Sequence, residues 1–258
     1  MKGLSVIIIT LNEEKNIGRC IDSVKAVADE IILLDSFSTD QTVAIAREKG
    51  AVVVQQNFNG YIHQKNKALQ LAGYDYVLSM DADEALSKEL AASIAKEKNN
   101  FSYAGYTMKR SNFFCGKFIR HGLWYPDRKL RLFEKRSAHW GGYDPHDKVM
   151  FDHPYPVKQL NGDLLHYAYY TTEEYIQKNE KISGIAARSM YENGIRKHWS
   201  KVILSPAWEF LNGYFLRLGL LDGYYGFLIA VHTANQSFLK HVQLQKLQKN
   251  DVAEMAWK

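Results

Sequence analysis

Tyr76-Val77-Leu78-Ser79-Met80-Asp81-Ala82-Asp83-Glu84 is the stretch that decides how this chain folds. Tyr76 to Met80 reads as a strand buried on both faces, and it runs straight into a cluster of carboxylates. Three similar runs precede it. Leu4 to Ile9 is the first, Ile31-Ile32-Leu33-Leu34 the second and Ala51 to Val54 the third. Helical segments separate them. In the first, Ile17, Cys20, Ile21 and Val24 share one face at helical spacing. Asp40 is placed to cap the second, which carries Val43, Ala44 and Ala46 and stops near Gly50. A third runs through Asn66, Ala68 and Leu71 to Gly73, and Ser87 caps a fourth.

Strand and helix in strict alternation predict a parallel sheet covered by helices. Such sheets bind ligands at the carboxyl ends of their strands, where the strand order reverses. The polar residues there are Thr10 to Glu14, Asp35 to Asp40 and Asp81 to Glu84. After about residue 100, aromatic, basic and glycine-rich segments replace the alternation. Strand-like pieces are expected at Tyr103 to Met108 and Leu130 to Phe133, and a helix over Thr172 to Glu192.

The 258 residues suffice for one good-sized domain with a small C-terminal extension, and 46% hydrophobic residues allow an ordinary core. The net charge of +5 suits an anionic substrate or an anionic membrane surface and is weak support for nucleic acid. Cys20 and Cys115 offer neither metal spacing nor a disulfide framework, which suggests a reducing compartment. The run Leu4 to Ile9 is too short for a signal core, and no stretch is apolar enough to span a bilayer.

Asp81 and Asp83 alternate at the end of a buried strand. Such a pair is expensive to place without a cation, and a hard divalent ion such as Mg²⁺ or Mn²⁺ prefers oxygen ligands. Asp35 also ends a strand and has no capping duty, so it is read as a ligand contact. Asp40 is divided between a cap and a site residue. No glycine-rich dinucleotide fingerprint follows the first strand, and there is no Walker A loop. Phosphates are therefore held by metal and basic side chains. Arg128, Lys129 and Arg131 form a basic cluster for a diphosphate or an anionic glycan. Strand alternation puts Lys129 and Arg131 on one face and Arg128 on the other. Gln64-Lys65-Asn66-Lys67 reads as a solvated helix face, the other reading being that its lysines reach the nucleotide.

Thr10-Leu11-Asn12-Glu13-Glu14, Asp35 to Asp40 and Asp81-Ala82-Asp83-Glu84, in this order and on strand ends, resemble the family 2 glycosyltransferases over residues 1 to about 100. The segment Tyr125 to Phe133, then Pro145-His146-Asp147 and Leu221-Asp222-Gly223, resemble the lipopolysaccharide core β-1,4-glucosyltransferase branch of that family. The resemblance implies an α/β GT-A fold: a Rossmann-like, mostly parallel sheet with helices on both faces, plus a helical C-terminal extension. It implies a catalytic domain over 1–195, with a nucleotide half (1–100) and an acceptor half (101–195), and an extension over 196–258. The implied reaction is inverting transfer of a hexose, glucose, from UDP-sugar to a cell-envelope glycan. Thr10, Asn12 and Glu13 would line the nucleotide pocket, and Asp35 would read the base. Asp83 would hold the metal, with Asp81 beside it on ribose or metal and Arg128 also among the nucleotide-sugar contacts, and His166 is the candidate to complete the metal shell. Where many relatives carry a second acid after Asp35, this chain has Ser36.

Inversion needs a base for the acceptor hydroxyl. Asp147 matches the acid that the relatives carry there, with His146 to orient it; Asp127 and Asp144 are the reserves. Two other readings compete. A nucleotidyltransferase would carry a glycine-rich basic loop after the first strand, where Thr10 to Glu14 is acidic and glycine-free. A non-catalytic scaffold would need no base. In the C-terminal third, Pro206 to Leu221 is expected as an amphipathic helix with a wide apolar face, followed by the apolar piece Tyr224 to Val231. Flanking cations (Arg196, Lys197, His198 and Lys201 before, Lys240, His241, Lys246 and Lys249 after) suit a helix lying in a membrane surface. Helical packing on the catalytic domain, or a dimer interface, is the other reading. The expected location is cytoplasmic, at the cytoplasmic face of the inner membrane.

Overall fold

Apolar runs that need cover on both faces form the middle of a sheet, and helices supply that cover. The computed structural model describes residues 3–143, 146–196 and 198–256, and of residues 143, 146, 178, 180, 181 and 250–256 it describes the backbone alone. In chain order the elements begin with β1 (Leu4–Thr10), α1 (Ile17–Val24), β2 (Glu30–Asp35), α2 (Thr42–Glu48) and β3 (Val52–Gln55). Then come α3 (Tyr61–Leu71), β4 (Tyr76–Asp81), β5 (Glu84–Leu86), α4 (Lys88–Lys98), β6 (Gly105–Phe114) and β7 (Lys117–Phe118). The rest are β8 (Asp127–Glu134), β9 (Ala138–Tyr143), β10 (His146–Phe151), β11 (Val157–Tyr169), α5 (Thr172–Glu192), α6 (Lys201–Leu211) and α7 (Tyr224–Ala256).

The chain divides into two compact units. The first comprises Met1–Ser111 and Asp127–Tyr167, the second Asn112–Pro126 and Ala168–Lys258. The expected boundary at 195 does not coincide with this division. Residues 112–126 and α5 group with the C-terminal helices, because their aromatic side chains pack there.

In the first unit the strand order is β3-β2-β1-β4-β8-β6-β11-β5. The first four strands are parallel, as the alternation predicts, and β8 and β6 add antiparallel strands beside β4. Successive β1 side chains alternate between two apolar layers. Val6 and Ile8 pack with Ile17, Cys20 and Ile21 of α1 and with Leu90 and Ile94 of α4. Ile7 packs on the other side with Ala68 and Leu69 of α3, Phe133 and Trp140. Each fully buried Ile or Leu contributes roughly 1.5–3 kcal/mol. Ser87 caps α4 as expected, its hydroxyl accepting from the Leu90 N–H at 3.2 Å. The hairpin of β9 and β10 and the full length of β11 go beyond the strands expected from the sequence.

In the second unit, Phe114 meets Trp124, Tyr169, Tyr175 and Tyr225 edge to face, and Trp124 stacks on Tyr169. Helix α5 has the expected bounds and begins with a capping box, Thr171 accepting from the Glu174 N–H and Glu174 reaching back to the Thr171 N–H. The helix expected over Pro206 to Leu221 is broken. Helix α6 holds Pro206 inside it and ends at Leu211; a π turn, left-handed Leu218 and a 3-10 turn over Gly219–Asp222 follow. Close backbone approach compels the break. A Cβ on Gly219 would lie 2.6 Å from the Gly213 carbonyl oxygen, and one on Gly226 would lie 1.9 Å from that of Gly219. Asp222 ties the turn down by accepting from the N–H groups of Arg120 and His121 at 3.0 and 2.8 Å.

Candidate active site

The site lies in the first unit, at the carboxyl ends of β1, β2 and β4. Thr10 closes β1, and its hydroxyl is buried with no hydrogen-bond partner among the described residues. Asn12 adopts a left-handed conformation (φ 54°) that reverses the chain. Its side chain accepts from the Thr39 N–H at 2.8 Å, and its own N–H donates to the Ser38 hydroxyl at 2.8 Å. The N–H of Glu13 donates to Thr42, while its carboxylate accepts from the Asn16 amide at 2.7 Å. The β1 and β2 loops are thus laced together, and the first two strand-end motifs form one wall.

Asp35 closes β2, fully buried. Its carboxylate accepts from the Ser38 N–H at 3.0 Å, from the Ser38 hydroxyl and from the Gln55 amide at 2.9 Å. Ser36 accepts from Gln64 at 2.8 Å. Asp40 accepts from the Thr42 N–H and hydroxyl and from the Glu14 N–H, so it opens the α2 turn while binding the neighbouring loop. Burial works to raise its carboxyl, and these hydrogen bonds prevail, holding it below the ordinary range.

Asp81, at the end of β4, accepts from Arg131 at 2.7 Å and pairs with Lys65 at 3.1 Å. Burial alone would raise its carboxyl, but the Arg131 and Lys65 charges outweigh it and hold it far below the ordinary range. Arg131 also donates to the buried Glu84 at 2.9 Å, and Glu84 accepts from the Asp81 N–H at 3.0 Å. Burial works against the Arg131 charge, and the two carboxylates keep the guanidinium above its usual value all the same. Cys20 lies under this loop, its thiol 3.7 Å from the Asp81 carbonyl. Burial, reinforced by Glu84, Asp83 and Asp81, pushes that thiol well above its usual value.

Asp83 turns the other way and meets His166. Pairing of β11 with β5 sets His166 opposite Glu84, and its Nε2 stands 3.1 Å from the Asp83 carboxylate. The two sequence candidates for metal binding, 83 residues apart in the chain, are therefore neighbours. A carboxylate and an imidazole, with phosphate oxygens and water completing the shell, are a donor set that fits Mg²⁺ or Mn²⁺. No group of three or more such ligands occurs among the described residues.

Asp147 on β10 is paired with Lys65 at 2.8 Å, so one ammonium bridges Asp81 and Asp147. Lys65 is 3% exposed. The reading of residues 64–67 as a solvated face is corrected for Gln64 and Lys65, both buried. Helix α3 lies against β9, where Asn66 brackets Trp140 with hydrogen bonds of 2.8 and 2.9 Å, and the lysine ammonium lies 4.4 Å from the Trp140 ring centroid. No periodicity signalled this; only the contact with β9 buries that side of the helix. The side chain of His146 lies outside the described residues, as do Asp144 and Pro145 altogether.

The expected alternation along Arg128, Lys129 and Arg131 also fails. Thr107 pairs with Leu130 and Tyr106 with Leu132, leaving Arg131 as the extra residue of a β-bulge. The bulge re-aims the guanidinium at Asp81 and Glu84. Asp127, a reserve base candidate, is instead paired with Arg110 at 2.8 Å and Lys129 at 3.1 Å. Arg128 donates to Gln159 at 2.9 Å. A cavity of about 690 Å³ is lined by Asp81, Lys65, Asp147, Trp140, Tyr61 and the β8 residues Arg128 to Arg131.

A parallel βα sheet with paired strand-end loops, an acid-rich β4 loop and a basic cavity is the arrangement of the GT-A glycosyltransferase fold. The chain belongs to the glycosyl transferase family 2, whose family model matches residues 5–156. A glycosyltransferase of Rickettsia typhi is 33% identical over 96% of this chain and 88% of its own length. The lipopolysaccharide core biosynthesis glycosyltransferase LpsC of Rhizobium meliloti is 33% identical over 92% of this chain and 89% of its own. Among solved structures, the glucosyl-3-phosphoglycerate synthase of Mycobacterium tuberculosis shows 26% identity over 43% of this chain and 44% of its own, with a TM-score of 0.37. Family membership sets aside the nucleotidyltransferase reading.

Proposed function

We propose that this glycosyltransferase transfers a hexose, glucose, from UDP-sugar to a cell-envelope glycan of the lipopolysaccharide core type, with inversion and with a divalent metal. The observation that carries the reading is the pair of neighbouring constellations: Asp83 with His166, and Asp147 held beside Asp81 by Lys65. Asp83 and His166 would hold the metal, which when bound offsets the charge of the departing diphosphate. Thr10, Asn12, Glu13 and Asp35 form the nucleotide wall, with Asp35 presenting a fixed carboxylate. Asp147 accepts the acceptor hydroxyl proton as that oxygen bonds to the anomeric carbon. The bond from that carbon to the diphosphate oxygen breaks, and UDP departs with the electron pair. Lys65 fixes the Asp147 carboxylate in the cavity, and His146 beside it is proposed to orient base or acceptor.

The similarity to LpsC supports a lipopolysaccharide-type acceptor. The second unit supports contact with a membrane surface. Among its exposed apolar residues are Trp199, Ile203, Leu204, Trp208, Leu216 and Tyr224, each at least 58% exposed, and α6 has no buried residue. No helix among the described residues is long and apolar enough to cross a membrane.

The experiment is titration of UDP into wild type, Asp83→Ala, His166→Ala and Asp147→Asn, with Mn²⁺ and with chelator, followed by transfer assays. Asp83→Ala and His166→Ala are expected to abolish the metal-dependent part of UDP binding. Asp147→Asn is expected to bind UDP normally and lose transfer. UDP affinity indifferent to Mn²⁺ in wild type would remove the metal, and near-normal transfer by Asp147→Asn would remove the base.

A further inference from the structure

The cavity around Asp81 and Asp147 holds more positive charge than its own acids balance. Lys65, Arg110, Arg128, Lys129, Arg131 and Lys148 contribute six cations to the lining, and Asp81 and Asp147 two carboxylates. Two further acids stand against those cations, Glu84 on Arg131 and Asp127 on Arg110 and Lys129. Two positive charges remain. They belong to Arg128, whose hydrogen bond goes to the neutral Gln159, and to Lys148; neither has a carboxylate within ion-pair distance among the described residues.

The donor does not account for this excess. A sugar-nucleotide diphosphate is largely neutralised by its divalent metal, and the residues that fit that metal, Asp83 and His166, are not in the cavity lining. Asp147, which would take the acceptor proton, is in it. So is Tyr61, an exposed residue of the lining.

We propose that this cavity is the acceptor subsite and that Arg128 and Lys148 read an anionic group on the acceptor glycan, a phosphate ester or a sugar carboxylate. The inference rests on the glycosyl-transfer reading with Asp147 as base. The guanidinium fork of Arg128 suits the two coplanar oxygens of a carboxylate or two oxygens of a phosphate, and Lys148 adds a point charge. Both side chains are exposed and hydrated in the free protein, so an anionic group gains charge-assisted hydrogen bonds there that a neutral sugar does not.

The test is calorimetric titration of the full chain with mannose 6-phosphate, glucuronate and methyl mannoside at low ionic strength. Three proteins are compared: wild type, Arg128→Gln/Lys148→Gln, and Lys88→Gln/Lys96→Gln, which removes the same charge from the exposed side of α4. Wild type and the α4 variant are expected to bind an anionic sugar and not the neutral one. The cavity variant is expected to bind it at least roughly tenfold more weakly, since a hydrogen bond to a charged group is lost at each position. The preferred anion tells a phosphate from a carboxylate acceptor. Equal binding of methyl mannoside, unchanged affinity in the cavity variant, or no anionic sugar binding at tens of millimolar would each overturn the proposal. UDP with Mn²⁺ is titrated in parallel. A cavity variant that loses UDP affinity as well would assign the two cations to the donor and overturn the acceptor role. A wild type that binds anionic sugar but no UDP would instead fault the donor reading.

Discussion

Replacing Lys65 by methionine tests the arrangement at the centre of the site. The ammonium lies 3.1 Å from Asp81 and 2.8 Å from Asp147, on a side chain only 4% exposed. Asp81 would keep Arg131 at 2.7 Å. Asp147 would keep no ion pair among the described residues while its side chain is 12% exposed. Removing one partner of a buried pair costs about 3–5 kcal/mol when the remaining charge is sealed from water. Because Asp147 borders an open cavity, the expected cost is lower, about 2–3 kcal/mol. For a chain of this size that is a drop in Tm of about 4–12 °C. The assay is thermal unfolding of wild type, Lys65→Met, Asp147→Asn and the double variant. Asp147→Asn removes the unpaired charge, so the double variant should recover most of the loss, with a coupling of about 1–2 kcal/mol. A Lys65→Met protein within about 0.5 kcal/mol of wild type, or strictly additive single effects, would refute the reasoning.

Gly226→Ala should destabilise the second unit by about 1–3 kcal/mol, since its Cβ would meet the Gly219 carbonyl oxygen at 1.9 Å, and urea denaturation reads the effect. Gly18→Ala is the matched control: its Cβ would meet the flexible end of Lys49 at 3.1 Å, and alanine favours helix, so neutral or slightly positive change is expected. Co-sedimentation with phosphatidylcholine vesicles, with and without phosphatidylglycerol, tests the membrane surface. Binding that rises with anionic lipid and is lost in Trp208→Glu/Leu216→Glu is expected, whereas a concentration-dependent dimer abolished by those changes would assign the surface to a second copy.

The first hundred residues were readable because their physics is local. A strand covered on both faces must be apolar throughout, and its carboxyl end is where charges can surface, so β1, β2 and β4 and their acids could be placed from the chain alone. Helix α5 was expected over the bounds it has, Thr172 to Glu192, and the structure adds the capping box that starts it. The reading weakened where a bulge and aromatic packing took over, since neither leaves a period in the sequence.

By itself, then, the sequence determined the alternating sheet, the strand-end acids and the family to which they belong. Tertiary structure alone decided the rest: that His166 meets Asp83, that Lys65 is buried between Asp81 and Asp147, and that Arg131 turns inward. The physical reason is that each depends on strand register or on a helix-to-sheet contact with a residue 47 to 83 positions away: Glu84 for Arg131, Asp147 for Lys65 and Asp83 for His166. Such contacts are chosen by the packing of the whole unit rather than by any pattern in the neighbouring residues.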